Sequence, residues 1–99
     1  MIRKNLDDLE TNGKKGDWCF LEDCTKIALR FADETFTGMV ILPISEDPKE
    51  AGDPHSPSPW QWDGNKEAPT LSPSILVHEA PGWRKGWHGY LTDGKLVTV

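Results

Sequence analysis

Cysteine is scarce in this chain, and so are the other devices that small proteins use to hold themselves together or to attach elsewhere. Cys19 and Cys24 are the only two cysteines among 99 residues, too few for the disulfide framework that supports small secreted domains. Their spacing of four intervening residues is also not the C-x-x-C of zinc ribbons and dithiol redox sites, whose tight turn presents two sulfurs together. Both are read as small apolar side chains on or beside a strand. No stretch approaches the roughly 18 consecutive apolar residues of a membrane span. Eleven basic residues stand against 16 acidic ones, for a net charge of -5. That balance argues against a protein whose affinity comes from neutralising phosphates, so neither a membrane nor a nucleic acid is the expected partner. The beginning of the chain turns acidic at Asp7 and Asp8, where a secretory signal needs an apolar segment, and an intracellular, cytoplasmic protein is the expectation. A sustained 3.6-residue apolar period is missing too, so helix should be minimal.

What is present is the alternation of strands. A chain of 99 residues has room for one domain with a small core. Residues 1–16 are polar, with turn signals at Asn12-Gly13 and at most one helical turn around Leu6 to Leu9, which predicts a flexible arm ahead of a single β domain over 17–99. Trp18-Cys19-Phe20-Leu21 and the period-two set Ile27, Leu29, Phe31 predict a strand pair turning at Glu22-Asp23. Residues 35–44, rich in β-branched and aromatic side chains, predict a third strand closed by Pro43. Six of the eight prolines fall in 45–73, which predicts one long loop, because proline fixes φ and removes a donor. Its first part, 46–58, is acidic, holds His55 and is expected to be mobile. Its second part carries Trp60 and Trp62, which point the same way if extended. Ser74 to His78 read as a fourth strand. Asp93-Gly94 between alternating apolar residues is the strongest hairpin signal in the chain, since both central positions of a type I′ turn need positive φ. The sum is a mainly β fold of about six strands, a small antiparallel sandwich or barrel with one long proline-rich loop and a C-terminal hairpin.

Three segments, Trp60-Gln61-Trp62-Asp63-Gly64-Asn65, Ala68-Pro69-Thr70-Leu71-Ser72-Pro73-Ser74-Ile75-Leu76 and Trp87-His88-Gly89-Tyr90-Leu91-Thr92-Asp93-Gly94, resemble a family of small bacterial and phage proteins of unknown function. Members of that family often carry the inherited label "ammonia monooxygenase". That label names a multi-subunit membrane enzyme with copper ligands, whereas this chain has no span and three histidines. Many members look as though they have an early C-x-x-C pair and a Cys-His before the hairpin, which would suit a structural zinc. Here four residues separate the early cysteines and Trp87 precedes His88. Cys19, Cys24 and His88 are what remains of such a ligand set, so the metal question stays open and no cofactor is expected.

The candidate binding residues are Trp60, Trp62, Trp83, Trp87 and His88. Tryptophans give large contact area at low entropic cost and suit an interface. The plainer alternative is that a small β domain without disulfides uses them as core. His88 at the start of the hairpin suits a ligand, a base or a partner to a loop carbonyl. Thr70, Ser72 and Ser74 alternate along one extended segment as candidate nucleophiles or as hydroxyls that satisfy turn backbone groups. No nucleophile elbow or triad spacing accompanies them, so no catalytic residue is assigned.

Three functions of different class follow. The first is a non-enzymatic phage or prophage accessory protein that contacts a host protein through the tryptophans. The second is a small zinc-binding domain on Cys19, Cys24 and His88. The third is a hydrolase or ligand-binding module centred on His88, which requires a concave pocket holding His88 beside a hydroxyl or carboxylate. A second copy pairing along an edge strand is compatible with so small a sheet.

Overall fold

The computed structural model describes residues 2–33, 37–50, 52, 58–83 and 85–99. The chain is mainly β, with one short helix, α1 (Leu6–Asn12), and eight strands: β1 (Trp18–Leu21), β2 (Lys26–Arg30), β3 (Met39–Ser45), β4 (Trp60–Trp62), β5 (Leu71–Ser72), β6 (Ile75–Val77), β7 (Trp87–Thr92) and β8 (Lys95–Thr98). They form a five-stranded sheet in the order β1-β2-β3-β4-β5 and a three-stranded sheet in the order β6-β7-β8. All pairings are antiparallel except β3 with β4.

The period-two pattern of β1 and β2 sorts their side chains onto two faces. Trp18, Ile27 and Leu29 join Leu71, Ile75, Val77 and Leu91 in the main core between the sheets. Cys19 and Ala28, paired across the strands, face the other way and form a second cluster with Leu9 of α1. Both are small, so the helix can approach closely and Leu9 is fully buried. The architecture is therefore three layers: helix, five-stranded sheet, three-stranded sheet.

The first sixteen residues depart from the expected loose arm. Asn5 caps α1 by accepting from the Asp8 N–H at 2.8 Å, and Arg3 N–H donates to the Trp18 carbonyl. At the other end the buried Arg30 guanidinium donates to the carbonyls of Leu9 at 3.1 Å and Gly13 at 2.7 Å, and also to that of Asp33. The Gly13 carbonyl lies just past the helix C-terminus, where carbonyls lack intrahelical partners, and the Leu9 carbonyl also accepts from the Gly13 N–H at 3.1 Å. A seven-residue helix is marginal alone, and tertiary docking supplies what its sequence lacks.

The expected turns at Glu22-Asp23 and Asp93-Gly94 are present, with positive φ at all four residues. The third strand runs over Met39–Ser45, and Thr35 and Phe36, expected at its start, lie outside the described residues, as does His55. The expected long loop contains β4 and β5. Its W-x-W-x-G-N segment is wiring: Asp63 Oδ1 accepts from the Asn65 and Thr70 N–H groups, while Asn65 Oδ1 accepts from those of Glu67 and Ala68. The loop is tied to the C-terminal hairpin by Gly94 N–H to Pro69 O at 2.8 Å and Asp93 N–H to Thr70 Oγ1 at 2.9 Å. Trp18 Nε1 donates to the Gly94 carbonyl at 2.9 Å and closes the same junction. Among the described residues no helix is long and apolar enough to cross a membrane.

Candidate functional site

The antiparallel pairing of β6 with β7 brings together two residues that lie 14 apart in sequence. Leu76 stands opposite His88 in the register, and Ser74, at the entry to β6, is the diagonal neighbour of His88 on the same outward face. The His88 Nε2 and Ser74 Oγ atoms are 3.2 Å apart. A hydroxyl at this distance from an imidazole nitrogen is the contact by which a histidine accepts a nucleophile's proton.

Each member is held by its surroundings. The carbonyl of Ser74 accepts a long hydrogen bond, 3.4 Å, from the indole Nε1 of Trp60, and the Ser72–Pro73 peptide just before it is cis. The backbone of His88 is fixed on its other side, where its carbonyl accepts from the Val99 N–H at 3.0 Å. Trp87 turns inward, stacks on Phe31 with ring centroids 5.8 Å apart and donates to Thr98 Oγ1 at 3.1 Å. Its ring also covers Gly89, where a Cβ would lie 2.4 Å from Trp87 Cζ2, so only glycine fits beside it. Among the described residues no carboxylate bonds the other ring nitrogen of His88.

The three hydroxyls of the 70–74 segment have different roles. Thr70 serves the hairpin turn, Ser72 is exposed and Ser74 meets His88. The tryptophans also divide. Trp60 and Trp62 share one face, as their spacing predicts, and that face is the core: they are 8% and 4% exposed. Trp62 packs on Phe20 at 5.0 Å and donates to the Asn65 carbonyl. Their burial removes them from any aromatic surface shared with Trp83, which is 81% exposed on its turn. Trp87 is half-buried.

Burial pushes the Cys19 thiol pKa up, with the Asp8 charge adding to the effect, as suits a thiol packed in the core. Cys24 is half-buried and borders a separate concavity lined by Asp23, Thr25, Glu46, Glu50 and Lys66. Cys19, Cys24 and His88 are not assembled, and among the described residues no group of three or more histidine, cysteine, aspartate or glutamate side chains is placed to hold a metal ion. The serine–histidine pair lies outside that concavity. His88 thus has the hydroxyl neighbour expected for a hydrolase, but on an open sheet face rather than in the expected concave pocket.

That face is unusually apolar. Leu76 is 55% exposed, Tyr90 45%, Val97 50% and Val99 71%, and the register sets Tyr90 opposite Val97. The residues alone set His88 with the Thr70, Ser72 and Ser74 row, and only strand register selects Ser74 from it. The available signal was the hairpin pattern itself: two short strands running antiparallel, with the serine at the start of one and the histidine near the start of the next.

Fold and site together define a small two-sheet β protein carrying an exposed serine–histidine pair. A family model described as "Bacterial ubiquitination-like system serine protease (BubE)" matches residues 40–99, and the chain belongs to that family. The matched range contains Ser74, His88 and all three segments on which the sequence resemblance rests. No curated protein and no solved structure matches the chain.

Proposed function

We propose that this chain is a serine hydrolase of a bacterial ubiquitination-like system, acting in the cytoplasm on amide bonds of a protein substrate, with Ser74 as nucleophile and His88 as its base. The observation that carries this reading is the 3.2 Å contact between Ser74 Oγ and His88 Nε2; the description of the family supports the reaction class. As Oγ bonds to the scissile carbonyl carbon, Nε2 takes the hydroxyl proton. Collapse of the tetrahedral adduct breaks the C–N bond, and His88 returns that proton to the leaving amine. Water then attacks the acyl-serine, giving one proton to His88, and the released Oγ recovers it.

The test is covalent labelling with a bare alkyl fluorophosphonate, followed by peptide mapping. Labelling is expected on Ser74, absent in Ser74→Ala, and slowed about a hundredfold or more in His88→Ala. Labelling at Ser72 or Thr70 instead, or none in the folded protein, refutes the assignment.

A second reading, a non-enzymatic phage or prophage accessory protein that works by contact with a host protein, is favoured by one observation, the 81% exposure of Trp83. It predicts that Trp83→Ala abolishes capture of the partner while Ser74→Ala has no effect on it.

A further inference from the structure

The backbone beside Ser74 carries information that the side chains do not. In a strand, the N–H and C=O of one residue point to the same side, and successive residues alternate between sides. The His88 carbonyl is taken by the Val99 N–H, so the backbone groups of His88 point toward β8. Leu76, its partner in the register, therefore sits in a non-hydrogen-bonded pair, and its N–H and C=O point away from β7. Ser74, two residues earlier, points its carbonyl to the same outer side, where Trp60 Nε1 meets it. β6 is an edge of its sheet, and no hydrogen bond from another described segment reaches Leu76. An unpaired donor and acceptor on an edge strand form a template for another strand.

We propose that this edge is the substrate track: an extended peptide pairs with the Leu76 N–H and C=O as an added strand and so presents its scissile carbonyl to Ser74 Oγ. The inference rests on the hydrolase reading and gives it a substrate class. At about 3.3 Å per residue, the peptide residue bonded to Leu76 lies about two places from the scissile bond. Its side chain falls on the outward face against Leu76, 55% exposed, so an apolar side chain fits there. Trp60 closes the track at the Ser74 end. The arrangement also accounts for a nucleophile outside any deep pocket: the strand pairing, rather than a cavity, orients the substrate. This is the strand-addition mode of peptide recognition, in which main-chain bonds give affinity and alternate side chains give specificity.

The experiment compares two phosphonates that both attach covalently to a reactive serine: the bare alkyl fluorophosphonate and a tripeptidyl diphenyl phosphonate with leucine at each position. Each rate is divided by the rate of the same warhead lacking the peptide. The peptide is expected to accelerate labelling of wild-type Ser74 by about tenfold or more, the worth of two backbone hydrogen bonds. Leu76→Pro, which removes the donor of one of the two bonds, should cut that acceleration by about threefold or more, read as the ratio of the peptide rate to the bare rate. Should Leu76→Pro fail to fold, the same question is put to the wild type with a probe whose amide facing Leu76 is replaced by an ester, and the ratio should fall by a similar factor. No acceleration in the wild type, or a ratio that neither change lowers, overturns the proposal while leaving Ser74 a nucleophile. If neither reagent labels Ser74, the hydrolase reading fails and the track fails with it.

Discussion

The two sheets of this protein are treated differently by the rest of the chain. The five-stranded sheet is covered on one face by the second sheet and, over β1 and β2, by α1 on the other, where Ile41 of β3 stays exposed; four of the five residues of β2 are buried. Among the described residues, the three-stranded sheet is covered on one face alone. Its inner residues Ile75, Val77 and Leu91 complete the core, while its outer face leaves Leu76, Tyr90, Val97 and Val99 in the open around Ser74 and His88. One sheet is mostly scaffold, and the other carries the Ser74–His88 contact and exposed apolar groups on its outer face. His88 lies within β7, where the ladder fixes its Cα, and Ser74 lies just before β6.

If that division is right, damage to the two regions should register in different measurements. The largest expected effect is from Ile27→Ala, at a fully buried position of the covered sheet. It should cost about 2–5 kcal/mol of unfolding free energy, a large share of a small domain's total. Denaturant titration measures the loss, and the rate of Ser74 labelling per folded molecule should stay the same; a rate that falls with the stability would show the two sheets acting as one.

A smaller effect is expected at Asp17, which ties the N-terminal segment to the scaffold. Burial by itself would raise its carboxyl pKa, but the Lys14 N–H at 2.9 Å and the Arg3 Nε at 2.8 Å outweigh burial and hold it below its ordinary value. A carboxyl whose pKa is depressed by folding adds stability above its unfolded pKa and loses it as pH falls through the folded one. Asp17→Asn should therefore lower the denaturation midpoint at neutral pH, and the gap from wild type should shrink on acidification below about pH 4. A gap independent of pH would assign the loss to packing.

The smallest effect belongs to Trp60→Phe, which keeps an aromatic ring in the core and deletes the indole N–H that meets the Ser74 carbonyl at 3.4 Å. Labelling per folded molecule should slow by about threefold, in keeping with one weak hydrogen bond. An unchanged rate would show that Ser74 keeps its place without that bond and would sharpen the boundary between scaffold and site.

Much of this organisation was legible in the residues, and the parts that were not share a cause. The two tight turns, the β1–β2 pair and the C-terminal hairpin follow from local chemistry: positive φ at Asp93-Gly94 and alternation on either side. Helix α1, expected as at most one turn around Leu6 to Leu9, runs over Leu6–Asn12; seven polar-rich residues carry too little amphipathic period to show its length. It forms because Leu9 finds Cys19 and Ala28, and because Arg30, 17 residues past Gly13, donates to the carbonyls of Leu9 and Gly13. Tryptophans 60 and 62 were candidates for a binding face on type alone, and only packing against Phe20 and the main core assigns them inward. Ser74 and His88 were both named, yet nothing in their spacing singled Ser74 out from Thr70 and Ser72.

The sequence by itself determined the β class and the punctuation by Asp-Gly and proline, because each of these depends on residues near one another along the chain. Tertiary structure decided which tryptophan is core, which face of the second sheet is left open, and that Ser74 Oγ stands 3.2 Å from His88 Nε2. Strand register is a long-range property: a slip of one residue between β6 and β7 would turn His88 to the opposite face, and the register is set by the burial of Ile75, Val77 and Leu91 against the sheet formed by β1 to β5.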